Sequence, residues 1–362
     1  MKIDPSKPLR LYVNPKWRRH GVHTPLLNPW WGNPYDKSSI FSRQMFDSYS
    51  FDIKSYGITN SIKEAEMIFP PYSHSWLLRY DKKLLTECVQ IAQESNLPLL
   101  IDGTGDIEHP IGIKNTYVLR YGGYRFLSDS KIIQIPLFVD DLLERCRKGQ
   151  LVVRKKTENN PVIGFAGWVN LSPKHYLKTI IKELPARLHS IIDDRYEVYT
   201  KGVLWRQKAI GTLRQSSQVT LNLRLRNSFS ANPKTAEGDM KKLREEMVDT
   251  ILQSDYSLDV RGDANNSARL FEILSLGRIP VIIDTERNFP FSEKINYSSF
   301  SLIIDFRDLK YLPERIAEFH KNISPDSFEQ MQKNARDVFV NYFRIDAIMK
   351  SVVETLRTKM QK

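Results

Sequence analysis

Several features are scarce in this sequence of 362 residues, and each scarcity excludes a class of protein. Its two cysteines, Cys88 and Cys146, are too few for a disulfide framework, which indicates a reducing compartment. The charged start MKIDPSKPLR is not followed by a long apolar run, so we expect neither a signal peptide nor a membrane anchor. Low-complexity stretches and fixed-period repeats are also missing, which excludes a solenoid. We therefore predict a globular cytoplasmic protein.

Charge of one sign is abundant. The formal net charge is +12, so the protein should attract polyanions such as nucleic acid, anionic lipid or phosphorylated small molecules. Nucleic acid is disfavoured because the aromatic residues are not interleaved with Lys and Arg in any known binding motif. The basic run 145–156 is interpreted either as a solvated linker or as a surface for peripheral association with a membrane.

The chain length and the apolar pattern predict two α/β domains. A chain of this length usually divides into two cores, and we place domains at 1–150 and 161–342, joined by a linker at 151–160. A last helix, 343–362, should pack back across the domains. In the second domain, short β-branched runs alternate with amphipathic stretches, which is typical of a doubly wound parallel sheet.

The predicted elements of the second half are strands at Val162–Ala166, Tyr196–Tyr199, Val219–Leu223, Ser257–Val260, Ile279–Ile283 and Ser301–Ile304, with helices at Pro173–Ile192, Arg206–Gln215, Glu237–Leu252, Asn266–Leu276 and Leu309–Asn322. The first half has strand candidates at Leu9–Val13, Met67–Phe69, Leu99–Ile101, Thr116–Leu119 and Ile132–Ile135, and a helix at Lys82–Glu94. The segment Asn14–Asp36, rich in Pro and Trp, is interpreted as a long surface loop that frames a pocket.

The segment 257–292 predicts a binding site for an anion. A strand ends at Val260, Arg261 begins a tight turn, and Asn266 and Ser267 stand where a helix should begin. The free N–H groups of a helix start attract phosphate, and an arginine can hold a diphosphate through two hydrogen bonds.

Two residues on that helix extend the prediction. Arg269 and Glu272 share one helix face, and the carboxylate of Glu272 is suited to accept hydrogen bonds from ribose hydroxyls. The alternative is that these two residues form a solvated ion pair and that Asn266 and Ser267 only cap the helix.

The stretch VRGDANNSARLFEILSLGRIPVIID, followed by NFPFS, resembles the C-terminal signature of the exostosin-type glycosyltransferases. The matching residues are Arg261, Gly262, Ser267, Arg269, Glu272, Gly277, Pro280, Val281, Pro290, Phe291 and Ser292. IGFAGWV and AEMIFPPYSHSW are similar to upstream strands of the same family. The resemblance implies a GT-B fold with two Rossmann-like domains facing each other across a cleft. It also implies an inverting transferase with a nucleotide-sugar donor, usually linked to uridine diphosphate, and a glycan acceptor.

An inverting transfer needs cations for the leaving group and a base for the acceptor hydroxyl. Arg224 and Arg226, at the end of a predicted strand, are further donor-site candidates, or else belong to an exposed edge. The loop after Leu99–Ile101 supplies the base candidates, Asp106 first and Glu108 second. The sequence lacks a DxD triplet at a strand end, so we expect no essential metal and no cofactor.

Two other functions stay open at this stage. A fucosyltransferase-like enzyme that uses a guanosine diphosphate sugar would share the same plan. A protein that binds sugar nucleotides or other polyanions without catalysis would keep the donor site and lack the transfer reaction.

Overall fold

The computed structural model of the protein describes residues 7–19, 21–35, 40–105, 110–127, 129–229 and 234–361. These residues form two parallel sheets with helices, which confirms the predicted α/β fold with two Rossmann-like halves. Among the helices described, none is both long and apolar enough to cross a bilayer.

The first sheet has six parallel strands in the order β2-β1-β3-β4-β5-β6. They are β1 Leu9–Tyr12, β2 Tyr56–Thr59, β3 Met67–Ile68, β4 Leu99–Asp102, β5 Thr116–Arg120 and β6 Ile132–Gln134. The helices of this half are α1 Asn28–Trp31, α2 Ile40–Gln44, α3 His74–Tyr80, α4 Lys82–Ser95 and α5 Leu142–Arg147. Strand β2 was not predicted, since its short YGIT segment follows Ser and Asp residues that indicate a turn.

The second sheet has five parallel strands in the order β11-β10-β9-β7-β8. They are β7 Val162–Trp168, β8 Thr220–Arg226, β9 Tyr256–Asp259, β10 Ile279–Asp284 and β11 Leu302–Asp305. The helices described in this half are α6 Pro173–His189, α7 Gly202–Arg214, α8 Met240–Leu252, α9 Ala268–Ser275 and α10 Leu312–Asn322. Strands β9 and β10 are completely buried, as expected where helices cover both faces of a sheet.

The chain ends in helices that contact both halves. Helix α11 Pro325–Val338 continues through a π-helical turn, Phe339–Phe343, into α12 Ile345–Met360. Helix α12 lies against β2 and β6 of the first sheet, and α11 packs on α9. One apolar core joins Leu9 and Ile133 of the first half with Phe271 and Phe300 of the second, because these closing helices fill the space between them.

Two predictions of local structure were wrong. Residues Tyr196–Tyr199 are part of a 3-10 helix, Asp194–Tyr199, because the carboxylate of Asp193 accepts a hydrogen bond from the backbone N–H of Arg195 and starts a helical turn. The segment expected to be a surface loop, Asn14–Asp36, contains two 3-10 turns and α1, and it buries Trp17 and Leu27. Apolar contacts outweigh the turn-forming residues in that segment.

Candidate functional site

A cavity of about 480 Å³ lies between the carboxyl edges of the two sheets. Trp168 and Arg226 end β7 and β8, and Val260 directly follows β9, so the second sheet contributes one wall. Phe41 and Leu137 contribute from the first half, with Leu137 placed three residues beyond β6. Ligands of open α/β sheets bind at this edge, so the cavity occupies the expected place.

The start of helix α9 forms part of the cavity wall. Asn266, Ser267, Ala268 and Arg269 all line it. Ser267 occupies the N-cap position, but its hydroxyl caps no N–H group that the structure describes. The first N–H groups of α9 are therefore available to an anion in the cavity, and the positive end of the helix dipole faces the same space.

Three arginines of the cavity wall lie close together. Arg206 of α7, Arg226 of β8 and Arg269 of α9 all line the cavity. The pKa of Arg206 is lowered to about 10, mainly by burial and next by the positive charge of Arg269. Burial is also the largest cause of the lowered pKa of Arg226, to which Arg269 again contributes. The wall is therefore a cluster of three guanidinium groups, in which Arg269 disfavours the charged forms of its two neighbours.

Arg206 also has an unsatisfied donor. Its two terminal nitrogens donate to the carbonyls of Trp168 and Arg261, at 3.2 Å and 3.1 Å. Its Nε is buried and lacks a hydrogen-bond partner within the described part of the chain. A buried donor without a partner beside repelling cations would be stabilised by an anionic ligand.

Arg269 and Glu272 are paired in the way their spacing predicts. Nε of Arg269 donates to the Glu272 carboxylate at 3.1 Å, and both side chains are about one-fifth exposed, at 19% and 18%. Both residues line the cavity. The pair is therefore only partly exposed to solvent. The second carboxylate oxygen of Glu272 can still accept a hydrogen bond from a ligand hydroxyl.

Arg261 lies in a different position from the one expected. Its guanidinium is buried and donates to the Tyr124 hydroxyl at 2.8 Å, to the Asp263 carbonyl at 2.7 Å and to the Val198 carbonyl. Its neighbours Val260 and Gly262 line the cavity, but Arg261 is not among the lining residues. Arg261 therefore stabilises the turn after β9 through these hydrogen bonds. Its contact with a diphosphate stays a prediction.

The turn held by Arg261 is also the place where the two halves meet. The Tyr124 ring lies 5.6 Å from the Arg261 guanidinium, and the Asn265 amide donates to the Gly123 carbonyl at 3.1 Å. Arg125 forms an ion pair with Asp284 at 2.8 Å. The segment 122–125 of the first half is thus held against residues 261–265 and against the end of β10 in the second half.

The arginines of β8 are separated by the structure. Arg226 lines the cavity and donates to the Leu243 carbonyl at 2.7 Å. Arg224 is exposed, donates to the Leu223 carbonyl at 3.1 Å and is not among the lining residues. Of these two candidates, only Arg226 is placed to contact a ligand in the cavity.

The base candidates Asp106 and Glu108 lie outside the described residues. Their loop begins at Asp102, the last residue of β4, whose carboxylate accepts hydrogen bonds from the N–H and hydroxyl of Thr104. Because all six strands are parallel, this loop leaves the same sheet edge as cavity-lining Leu137. Among the described residues, no group of three or more His, Cys, Asp or Glu is placed to hold a metal ion.

Sequence reasoning missed Arg206, Trp168 and Arg244, all of which line the cavity. Arg206 follows Trp205 in a helical pattern, where an arginine is usually a solvated surface residue. The sequence did contain a sign of this position. Helix α7 begins with the apolar turn GVLW directly before Arg206, which indicates that this end of the helix is buried. Arg244 packs over Phe41 at 4.3 Å, a contact between the halves that the sequence pattern does not show.

Comparison with known proteins agrees with this location. Residues 207–319, which include α9 and the cavity-lining residues Arg226 and Glu272, match the model of the exostosin GT47 domain. An exostosin-1 homolog from Caenorhabditis elegans is 30% identical over 101 residues, which is 28% of this chain and 25% of that protein. The chain thus matches about a quarter of the length of this curated relative.

Solved structures with a similar arrangement are more distant. A glycosyltransferase from Rickettsia africae is 12% identical with a TM-score of 0.38, covering 83% of this chain and 78% of that one. Anabaena Alr3699/HepE, solved in complex with UDP, is 12% identical with a TM-score of 0.36 over 97% and 100% of the two chains. The assignment therefore depends on the family model and the cavity.

Residues 207–319, within the half that contains the five-stranded sheet, are thus similar to the exostosin GT47 domain. This similarity confirms the exostosin resemblance seen in the sequence.

Proposed function

We propose that this protein transfers a sugar, with inversion, from a nucleoside diphosphate sugar to a hydroxyl of a glycan acceptor. The observation that carries the proposal is the cavity wall in which the open start of α9, the cations Arg206, Arg226 and Arg269, and the carboxylate Glu272 come together. A diphosphate is the ligand that such a wall would stabilise most, because it is anionic and has many hydrogen-bond acceptors.

Each group has a distinct role in the proposed reaction. Arg206 and Arg269 stabilise the negative charge that develops on the departing nucleoside diphosphate, and the N–H groups of α9 add to this stabilisation. Glu272 accepts hydrogen bonds from the ribose hydroxyls, while Arg269 orients its carboxylate. The base that takes the acceptor proton comes from the loop after β4, with Asp106 as first choice and Glu108 as second.

The cation cluster also supports a reaction that needs no metal. Arginines can neutralise a leaving diphosphate by themselves, so we propose that chelators leave the activity unchanged. We further propose a uridine diphosphate sugar as donor and a polysaccharide or surface glycan as product, made in the cytoplasm. The two cysteines are unpaired, which supports a reducing compartment.

Binding of uridine diphosphate tests the donor site directly. Arg206→Gln, Arg269→Gln and Glu272→Gln should each weaken binding about 10- to 100-fold, because a hydrogen bond to a charged group contributes about 1.5–3 kcal/mol. Arg224→Gln is the matched control on the exposed face and should bind like the wild type. Titration calorimetry measures all four, and wild-type affinity in the three cavity variants would refute the site.

The same titrations separate the alternatives. Tighter binding of guanosine than of uridine diphosphate would favour a fucosyltransferase-like donor. Donor binding without release of nucleoside diphosphate, over a panel of acceptors, would indicate a binding protein that has no transfer activity. For the base, Asp106→Asn should abolish transfer and spare donor binding.

A further inference from the structure

Helix α6 carries an apolar stripe that the protein leaves uncovered. The stripe, here called the α6 stripe, consists of Leu177, Ile181, Leu184 and Leu188, each exposed by 51% to 63%. At about 100° per residue, these four positions fall within about 60° of one another on the helix surface. Ile191 and Ile192 extend it beyond the helix end and are 80% and 90% exposed.

The α6 stripe faces away from the body of the protein. Glu183 is the buried residue of α6, and it lies about 130° around the helix from the middle of the stripe. Its carboxylate accepts hydrogen bonds from the Lys201 backbone N–H at 2.6 Å and from Arg187 at 3.1 Å. Helix α6 is therefore attached through its polar face and presents its apolar face to the outside, the reverse of a core helix.

The opposite arrangement occurs elsewhere in the same molecule. In α12, the apolar residues Ile348, Val352 and Leu356 are completely buried against the first half. An exposed apolar stripe of this extent is uncommon on a soluble protein and usually marks an interaction site.

A row of lysines runs along one side of the stripe. Lys174, Lys178 and Lys182 follow one another at intervals of one helical turn, and all three are exposed. Within the described part of the chain, none of them has an ion pair. The acidic groups nearby are all engaged: Asp193 with Arg195, Asp194 with Arg307, and Glu197 with Lys208.

The arginines of the basic run 145–156, which the sequence suggested for lipid attraction, differ in this respect. Arg145 is paired with Asp140, Arg147 with Glu245, and Arg154 with Asp255. These cations join parts of the protein to one another, so they are not available to a membrane in the way the α6 lysines are.

We propose that α6 is a membrane-binding helix, which inserts the α6 stripe into the interface of an anionic lipid bilayer while Lys174, Lys178 and Lys182 contact the lipid phosphates. An apolar stripe with a lysine border is the pattern of helices that lie in the plane of a membrane surface. A second copy of the chain is a poorer occupant, because each copy carries a net charge of +12 and would oppose its lysines to like charge.

The position of α6 gives the contact a consequence for the cavity. Helix α6 begins five residues after Trp168, which lines the cavity at the end of β7. Membrane attachment through α6 would therefore hold the cavity near the lipid surface.

Co-sedimentation with vesicles tests the proposal on the full chain. Wild-type protein should sediment with phosphatidylcholine vesicles that contain phosphatidylglycerol, and much less with pure phosphatidylcholine. The double variant Ile181→Gln with Leu184→Gln should reduce binding by about tenfold or more, and so should Lys174→Gln with Lys178→Gln and Lys182→Gln. Because these side chains are exposed, circular dichroism and the melting temperature should be unchanged.

Matched controls make the experiment specific. Ile53→Gln with Leu127→Gln removes apolar residues of similar exposure elsewhere, and Lys83→Gln with Lys333→Gln and Lys350→Gln removes the same charge. Both controls should bind like the wild type. Failure of the wild type to bind anionic vesicles, or equal binding by the α6 variants, would overturn the proposal. A dimer in sedimentation velocity that the apolar α6 variant abolishes would assign the stripe to a second copy instead. None of these measurements depends on sugar transfer.

Discussion

At the scale of single residues, burial decides which arginines can serve a ligand. Arg206 and Arg261 are both near the turn after β9, yet only Arg206 lines the cavity with a donor left unsatisfied. The guanidinium of Arg261 donates hydrogen bonds to four oxygen atoms of the protein itself. A guanidinium surrounded by such acceptors stabilises the fold. It affects the cavity indirectly, by fixing the turn whose residues Val260 and Gly262 line it.

Replacing Arg261 should therefore affect stability before it affects chemistry. Arg261→Met leaves the carbonyls of Val198 and Asp263 without their donor, and we expect the free energy of unfolding to fall by about 2 to 5 kcal/mol. Urea unfolding measures the change, with the exposed Arg224→Met as control. An unchanged unfolding free energy combined with weak donor binding would restore Arg261 to the ligand site.

At the scale of elements, two close approaches position the cavity wall. The start of α7 packs against the turn that follows β9, and a Cβ atom added at Gly202 would overlap the Gly262 carbonyl oxygen. Arg206 lies on the same helix, so the close contact at Gly202 helps to fix the position of that arginine in the cavity wall. The start of helix α9 is held by Asn265, whose side-chain amide donates hydrogen bonds to the carbonyls of Gly123 and Thr285.

Two glycines of α7 make a matched pair of variants. Gly202→Ala should lower the free energy of unfolding by about 3 kcal/mol and weaken donor binding, because the turn must move. Gly211→Ala has open space around the new methyl group and should raise stability by up to about 1 kcal/mol. Thermal unfolding and donor titration of both variants check this. Equal behaviour of the two would show that the close contact has no role.

At the scale of the whole molecule, the two sheets share one apolar core and several buried polar contacts. Arg336 of α11 forms a bidentate ion pair with Asp141, the N-cap residue of α5, at 2.7 Å and 2.9 Å. Helix α12 adds the hydrogen bond from Arg357 to the Lys7 carbonyl. These contacts couple the halves, although each half has its own sheet.

The coupling predicts cooperative unfolding. Calorimetry should show one transition, and Arg336→Met should lower its midpoint without splitting it. The buried Asp141 carboxylate would lose its bidentate partner and, among the described residues, keep only the cation Arg344, at 4.0 Å, which should cost up to about 3–5 kcal/mol. Lys333→Met, on the exposed side of the same helix, should leave the midpoint unchanged. Two resolved transitions in the wild type would contradict the shared core.

The amino-acid sequence by itself determined the local pattern of this protein. The buried strands β7, β9 and β10 and the helix that carries Arg269 and Glu272 were predictable, because apolar periodicity and fixed motif spacing depend on neighbours along the chain. The exostosin resemblance followed from the same spacing.

The tertiary structure alone decided which cations meet. Arg206 and Arg226 come from elements far apart in the chain, and their approach depends on strand order and on the contact of α7 with Gly262. It also decided that Arg261 points into the protein and that the stripe on α6 points outward. Burial is a property of the packed molecule, and a helical pattern reports only that one face is apolar, without saying what covers that face.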